Sequence, residues 1–327
     1  MTINVDSGNL NDATSDDSTT RDADIRSLGD IDLTVVGALG TSASRVDIYT
    51  EYNDQGTEDT ADDVYGTLSV DVQGDVYISA VGGDLYVKDM VAGNGASGLV
   101  DIRAYDSVYD ADPIGNTDDY AKGDGVQDIQ ADSIKIVADG SIGTLTNVLE
   151  IDSTTTTAVV LKAAQGTAAQ GSVVVSEDTG DLNIGEITAG TTAGNVVSLY
   201  AEDKIFEDLN TDVSYAVRAN ALRMFTDTGN IGSLGADGLL DVLQSTPAND
   251  DAPITAQVNY FERMQAAGTV TIQNDGLLTV GDAASQFEVR STHAIHLVTN
   301  SPMTVDGGLA SDMDVVMKAS EAADNAA

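Results

Sequence analysis

The sequence has no cysteine and no tryptophan, and only 4 prolines, 2 histidines and 14 lysines and arginines among 327 residues. Each scarcity excludes something. Without cysteine there is no disulfide, no thiolate metal site and no cysteine nucleophile. His293 and His296 sit three apart, so in a strand they point to opposite faces and cannot share a zinc ion. Fourteen basic residues against 54 acidic ones give a net charge of −40, which repels bare nucleic acid and anionic membrane surfaces. No run of 18 apolar residues occurs, so no membrane span is expected. The opening residues, Met1-Thr-Ile-Asn-Val-Asp6, have neither the basic start nor the apolar stretch of a secretory signal. They read as the start of a piece cut from a longer chain, or of a chain whose export is directed elsewhere.

What is present points to β-structure. Hydrophobic residues make up 42% of the chain and aromatics only 5%, with 32 glycines. A core of Val, Ile, Leu and Ala punctuated by Gly suits narrow stacked layers. The acid is 44 Asp against 10 Glu. Asp forms turns and loops more readily than helix, and an acidic surface keeps a long β-structure soluble and its edges unpaired. Such acidity fits salty surroundings or divalent cations.

Short runs alternate apolar and polar residues and begin at glycine. Examples are Gly29-Asp-Ile-Asp-Leu-Thr-Val35, Gly66-Thr-Leu-Ser-Val-Asp-Val72, Gly74-Asp-Val-Tyr-Ile-Ser-Ala80 and Gly83-Asp-Leu-Tyr-Val-Lys-Asp89. They recur at a fixed distance. Gly74 and Gly83 return as Gly171 and Gly180, and Gly171 returns as Gly268, each 97 residues on. Asp106-Ser-Val-Tyr-Asp110 has its partner in Asp203-Lys-Ile-Phe-Glu207. The spacing predicts a single elongated domain over 1–327, with modules at 66–170, 171–267 and 268–327 (partial) after a divergent part, 1–65. The fold class is all-β, a parallel β-helix or β-solenoid with Asp-rich loop insertions, about four rungs of roughly 24 residues filling each module. Neither terminus reads as a cap, so a fragment, or a subunit whose ends meet other copies, is expected. Asn53 to Asp63 and Asp110 to Asp119 read as long loops, and Ala248 to Gln265 as a short helix or a strand.

One further pair of motifs carries a resemblance. Ala138-Asp-Gly-Ser-Ile-Gly143 and Thr226-Asp-Thr-Gly-Asn-Ile-Gly232 are followed by Leu149-Glu-Ile151 and Leu240-Asp-Val242. In this the chain resembles the repeat regions of filamentous-haemagglutinin-like exoproteins and giant bacterial adhesins, over most of residues 66–300. The resemblance implies a right-handed parallel β-helix, a secreted or cell-surface location, and adhesion or fibre formation. It supplies no catalytic residues.

Three chemistries are weighed. Gly93-Asn-Gly95-Ala-Ser-Gly98 has the spacing of a dinucleotide-binding loop, but a strand, Leu99 to Ala104, follows where a helix is needed, so a plain turn is expected. Calcium takes several oxygens at flexible spacing, and Asp59, Asp62, Asp63, Asp110, Asp112, Asp118 and Asp119, with Asp124 and Asp128, are the candidate ligands; the alternative is a solvated acidic loop. Paired carboxylates also raise a carbohydrate-active β-helix enzyme, against which stand scarce Lys and Arg and scattered Tyr. The expectation is a non-catalytic structural or adhesive segment, touching surface or matrix glycans and proteins. A filament subunit stacking on copies of itself comes second.

Overall fold

The computed structural model describes residues 1–12, 23–50, 52–53, 64–93, 97–112, 122–154, 157–165, 170–177, 179–207, 215–232, 254–281, 288–299 and 301–319. Among these residues there is no α-helix, and two long parallel sheets hold all the strands except one short antiparallel pair, Tyr52–Asn53 with Val64–Tyr65. The first sheet runs through twelve strands, from Thr2–Val5 by way of Ile31–Val35, Thr67–Val72 and Leu85–Ala92 to Met303–Val305. The second runs through another twelve, from Ile25–Ser27 by way of Val46–Thr50 and Val76–Ala80 to Val315–Ala319. The chain passes back and forth between them in a solenoid-like stack. Twelve strands about 4.8 Å apart make that stack roughly 53 Å tall.

Alternation in the sequence becomes alternation in burial. In Ile31–Val35 the three apolar side chains are buried while Asp32 and Thr34 are exposed. The parallel register then sets like on like: Val46, Ile78, Ile102, Ile136, Leu161 and Ile187 lie on successive strands of the second sheet, all buried. The run ending in Gln265 is strand: Ile254–Gln257 and Tyr260–Ala266. Its helix formers lose to ladder partners on both sides, Ala221–Thr226 below and Leu278–Val280 with Glu288–Ser291 above.

The 97-residue spacing holds an odd number of half-turns, where four whole rungs were expected. From Val76–Ala80 to Val173–Glu177 the chain makes seven crossings, three and a half turns. Val76–Ala80 therefore lies in the second sheet, its counterpart Val173–Glu177 in the first, and Val270–Asn274 in the second again. Alternation looks the same in either sheet, so sequence periodicity does not distinguish whole turns from half-turns.

Two motif positions acquire physical reasons. Asp30, Asp75, Asp84 and Asp181 each accept a backbone N–H from the following rung, from Thr67, Leu99, Ser107 and Lys204, at 3.0–3.1 Å. Asp84 and Asp181 are a repeat pair, and so are their donors. Part of the Asp content is thus structural linkage between rungs. The Ile-Gly motif closes a turn. Gly143 and Gly232 both have φ +63, and a Cβ there would lie 2.1–2.2 Å from the carbonyl oxygens of Val174 and Thr271. Gly40 (φ +70) repeats the arrangement against the Tyr77 carbonyl, inside the stretch that reads as divergent.

Candidate metal centre

The first and second modules each carry one rung that the chain interrupts. In the first, the eight-residue strand Leu85–Ala92 is matched by two short strands in line. Val108–Asp110 pairs with residues 85–87, and Ile129–Ala131 pairs through Ile129 and Gln130 with Met90 and Val91. The chain leaves the rung at Asp110 and returns at Asp128. On the next rung Ile151 pairs with Ile129, which brings Glu150 beside Asp128. Asp110, Asp128 and Glu150 thereby meet, with one carboxylate oxygen from each lying within 4.8 Å of the other two.

All three are buried, at 3%, 1% and 2% exposure. Each anchors one oxygen on the backbone. Asp110 Oδ1 accepts from the Asp112 N–H at 2.9 Å, Asp128 Oδ2 from the Glu150 N–H at 2.9 Å, and Glu150 Oε1 from the Asp124 N–H at 2.5 Å. Asn147 clamps the Asp110 backbone, accepting its N–H at 3.0 Å and donating to its carbonyl at 2.9 Å. Gly123 packs on the Glu150 carboxylate so closely that a Cβ would lie 1.9 Å from Oε1. The remaining oxygen, Glu150 Oε2, is buried and meets no hydrogen-bond donor.

The electrostatics are unfavourable as they stand. None of the ion pairs among the described residues involves these three carboxylates, whereas the equally buried Asp101 has Arg45 at 2.8 Å and Lys135 at 3.2 Å. Two unit charges about 4.8 Å apart repel by about 3 kcal/mol at an effective dielectric constant near 20. Burial above all holds the three groups above the usual carboxylate range; the Asp110 charge raises Asp128 further, whereas hydrogen bonds from Asp128 and from backbone N–H groups pull Asp110 and Glu150 partly back. Such a cluster has two chemical outlets: it keeps protons, or it takes up a cation.

The second module builds the same rung with other residues. Leu182–Thr188 is matched by Ile205–Glu207 and Val217–Arg218, and Ala256 pairs with Val217. Glu207, Ala216 and Thr255 therefore stand where Asp110, Asp128 and Glu150 stand. The backbone agrees, since Met90 N–H donates to the Asp128 carbonyl and Ile187 N–H to the Ala216 carbonyl, both at 2.7 Å. Here the polar groups satisfy one another. Glu207 accepts from the Thr255 N–H at 2.7 Å and the Thr255 hydroxyl at 3.0 Å, and Thr255 Oγ1 accepts from the Ala216 N–H at 3.0 Å.

Of the residues singled out from sequence, the structure brings together Asp110 and Asp128, with Asp112 and Asp124 donating to the cluster through their backbones. Asp59, Asp62, Asp63, Asp118 and Asp119 lie outside the described residues, as does Leu240-Asp-Val242. One expectation is corrected: Asp110 ends a strand and is buried, because its rung partner Val87 holds it in the sheet, so it is not part of a solvated loop. Glu150 escapes sequence reading because Leu149-Glu-Ile151 shows ordinary alternation with Glu outward. The strand Leu99–Ala104 follows Gly98, as the plain-turn reading expects. His293 is exposed in a turn and His296 half-buried in Ile295–Thr299.

Beyond the cluster, Lys122 at the far end of the insertion lies 2.9 Å from Asp227 and 5.0 Å from the Tyr200 ring, so the insertion's end is held against later rungs of the first sheet. No family model matches the chain, and neither a curated protein nor a solved structure does.

Proposed function

We propose that the chain is a non-catalytic structural and adhesive segment of a large secreted or cell-surface bacterial protein, a right-handed parallel β-helix of the filamentous-haemagglutinin-like kind. One observation carries the reading: apolar ladders, backbone ladders and aspartate links continue from rung to rung along both sheets. A stack joined in this way is a spacer that resists separation along its length and offers its sides to surface or matrix glycans and proteins. The net charge of −40 keeps such a surface soluble and discourages edge pairing.

Protease added to intact cells of the organism that makes the protein tests the location. Cleavage before lysis is expected, and protection until lysis overturns the reading. Turnover of acidic polysaccharides in a reducing-sugar assay would overturn its non-catalytic part.

A filament subunit is the second reading. On the last described strand, Val315, Val316 and Met317 are 42–47% exposed, an apolar surface that a second copy set against Thr2–Val5 and Ile25–Ser27 would cover. Negative-stain electron microscopy of the purified chain distinguishes the two, since fibres that lengthen with concentration belong only to the subunit.

A further inference from the structure

We propose that Asp110, Asp128 and Glu150 bind one calcium ion, which ties both ends of the 111–127 insertion to the rung above. The cluster is placed by the sheet register, at the point where the chain leaves the solenoid and comes back. Three oxygens converge within 4.8 Å, and no protein cation among the described residues pairs with them. Glu150 supplies the independent observation. Its side chain is 2% exposed, its Oε1 is held by a backbone N–H, and its Oε2 is buried with no hydrogen-bond partner. A buried oxygen of that kind costs free energy unless something positive meets it.

The repeat provides the control. The equivalent rung of the second module carries a single carboxylate, and hydrogen bonds from Thr255 complete it. The first module departs from that self-sufficient solution by adding two acids and removing the hydroxyl. Without a counter-ion these buried acids must keep protons or repel one another; with one they make a ligand set.

The chemistry selects the ion. An all-oxygen set of carboxylates is hard, and neither histidine nor cysteine is present to suit zinc or copper. Magnesium keeps several waters in a strict octahedron, whereas calcium accepts six to eight oxygens in a flexible shell and takes carboxylates in either one- or two-oxygen mode. A buried cradle of carboxylates suits the larger ion. Neutralising the cluster lets Asp110, Asp128 and Glu150 all stay ionised, and it fixes the insertion's base.

The test uses the full chain after treatment with a chelator. Calcium chloride is titrated in by isothermal calorimetry, and thermal unfolding is followed by circular dichroism in calcium and in chelator. One equivalent is expected to bind, raising the unfolding midpoint by about 5 °C at a hundredfold excess over Kd. Asp128→Asn, which keeps the shape, is expected to weaken binding by about 100-fold or more. The double variant Asp128→Ala with Glu150→Thr gives those two positions the residue types of the second module. It is expected to keep the native spectrum and lose the calcium response, while Glu207→Gln leaves binding unchanged. No binding by the native chain, binding that survives in the double variant, or preference for magnesium overturns the proposal.

Discussion

The interrupted rungs of the first and second modules are the same piece of architecture solved in two ways. In the second, Glu207 is satisfied from within by Thr255, and Ala216 fills the third position without charge. In the first, Asp110, Asp128 and Glu150 crowd three acids into a buried space that offers backbone N–H groups, with no ion pair to them among the described residues. Fold alone does not require the acids, because the same ladder forms without them. The difference between the modules therefore isolates what the acids add.

The most damaging change acts on what the two modules share. Gly143 and Gly232 close the turns that follow their interrupted rungs, with left-handed backbone and no room for a Cβ. Substituting either with valine is expected to cost about 3 kcal/mol or more in urea unfolding, equally in both modules. A large inequality would mean that the two turns are not equivalent.

Next come substitutions of opposite sign at equivalent positions. Thr255→Val leaves Glu207 without its hydroxyl donor and is expected to destabilise by about 1–3 kcal/mol, whether or not calcium is present. Glu150→Thr, measured in chelator, removes a buried carboxylate oxygen that lacks a donor and is expected to stabilise by about 1–3 kcal/mol. If both destabilise alike in chelator, the first cluster is not under electrostatic load.

The pH dependence sharpens the same contrast. Burial raises the folded-state pKa values of Asp110, Asp128 and Glu150 above their unfolded ones. Their contribution in chelator is thus fully present below the unfolded carboxylate range, near pH 4, and is lost as pH rises through the raised values. Unfolding midpoints in chelator should fall from mildly acid to neutral pH. The double variant Asp128→Ala, Glu150→Thr should flatten that slope.

The smallest expected effect concerns the aspartate links. Asp84→Ala and Asp181→Ala each remove one acceptor for the next rung's N–H and should cost about 1 kcal/mol apiece. Parity between them would confirm that the link belongs to the repeat.

Much of the architecture was legible in the residues. Gly-Asp starts, alternation as in Ile31–Val35 and the spacing from Gly74 to Gly171 to Gly268 together specify parallel strands that stack with a fixed repeat. The sheet to which each strand belongs was not legible, because Val76–Ala80 and Val173–Glu177 have the same pattern and differ only in how many crossings separate them. The cluster was half legible. Asp110 and Asp128 stood out as acids near an insertion, but nothing in Leu149-Glu-Ile151 distinguishes an outward Glu in water from one buried under the insertion's base. That distinction depends on the register between Ile129 and Ile151, a contact across 22 residues with no local signal.

Three and a half turns per module amount to a twofold screw along the stack. Interrupted rungs in successive modules lie in opposite sheets, as Leu85–Ala92 and Leu182–Thr188 do. In a longer array of this module the insertions would alternate sides at intervals of about 17 Å, each side recurring every seven rungs, or about 34 Å. A partner that grips one side would leave the other side's insertions free for a second partner.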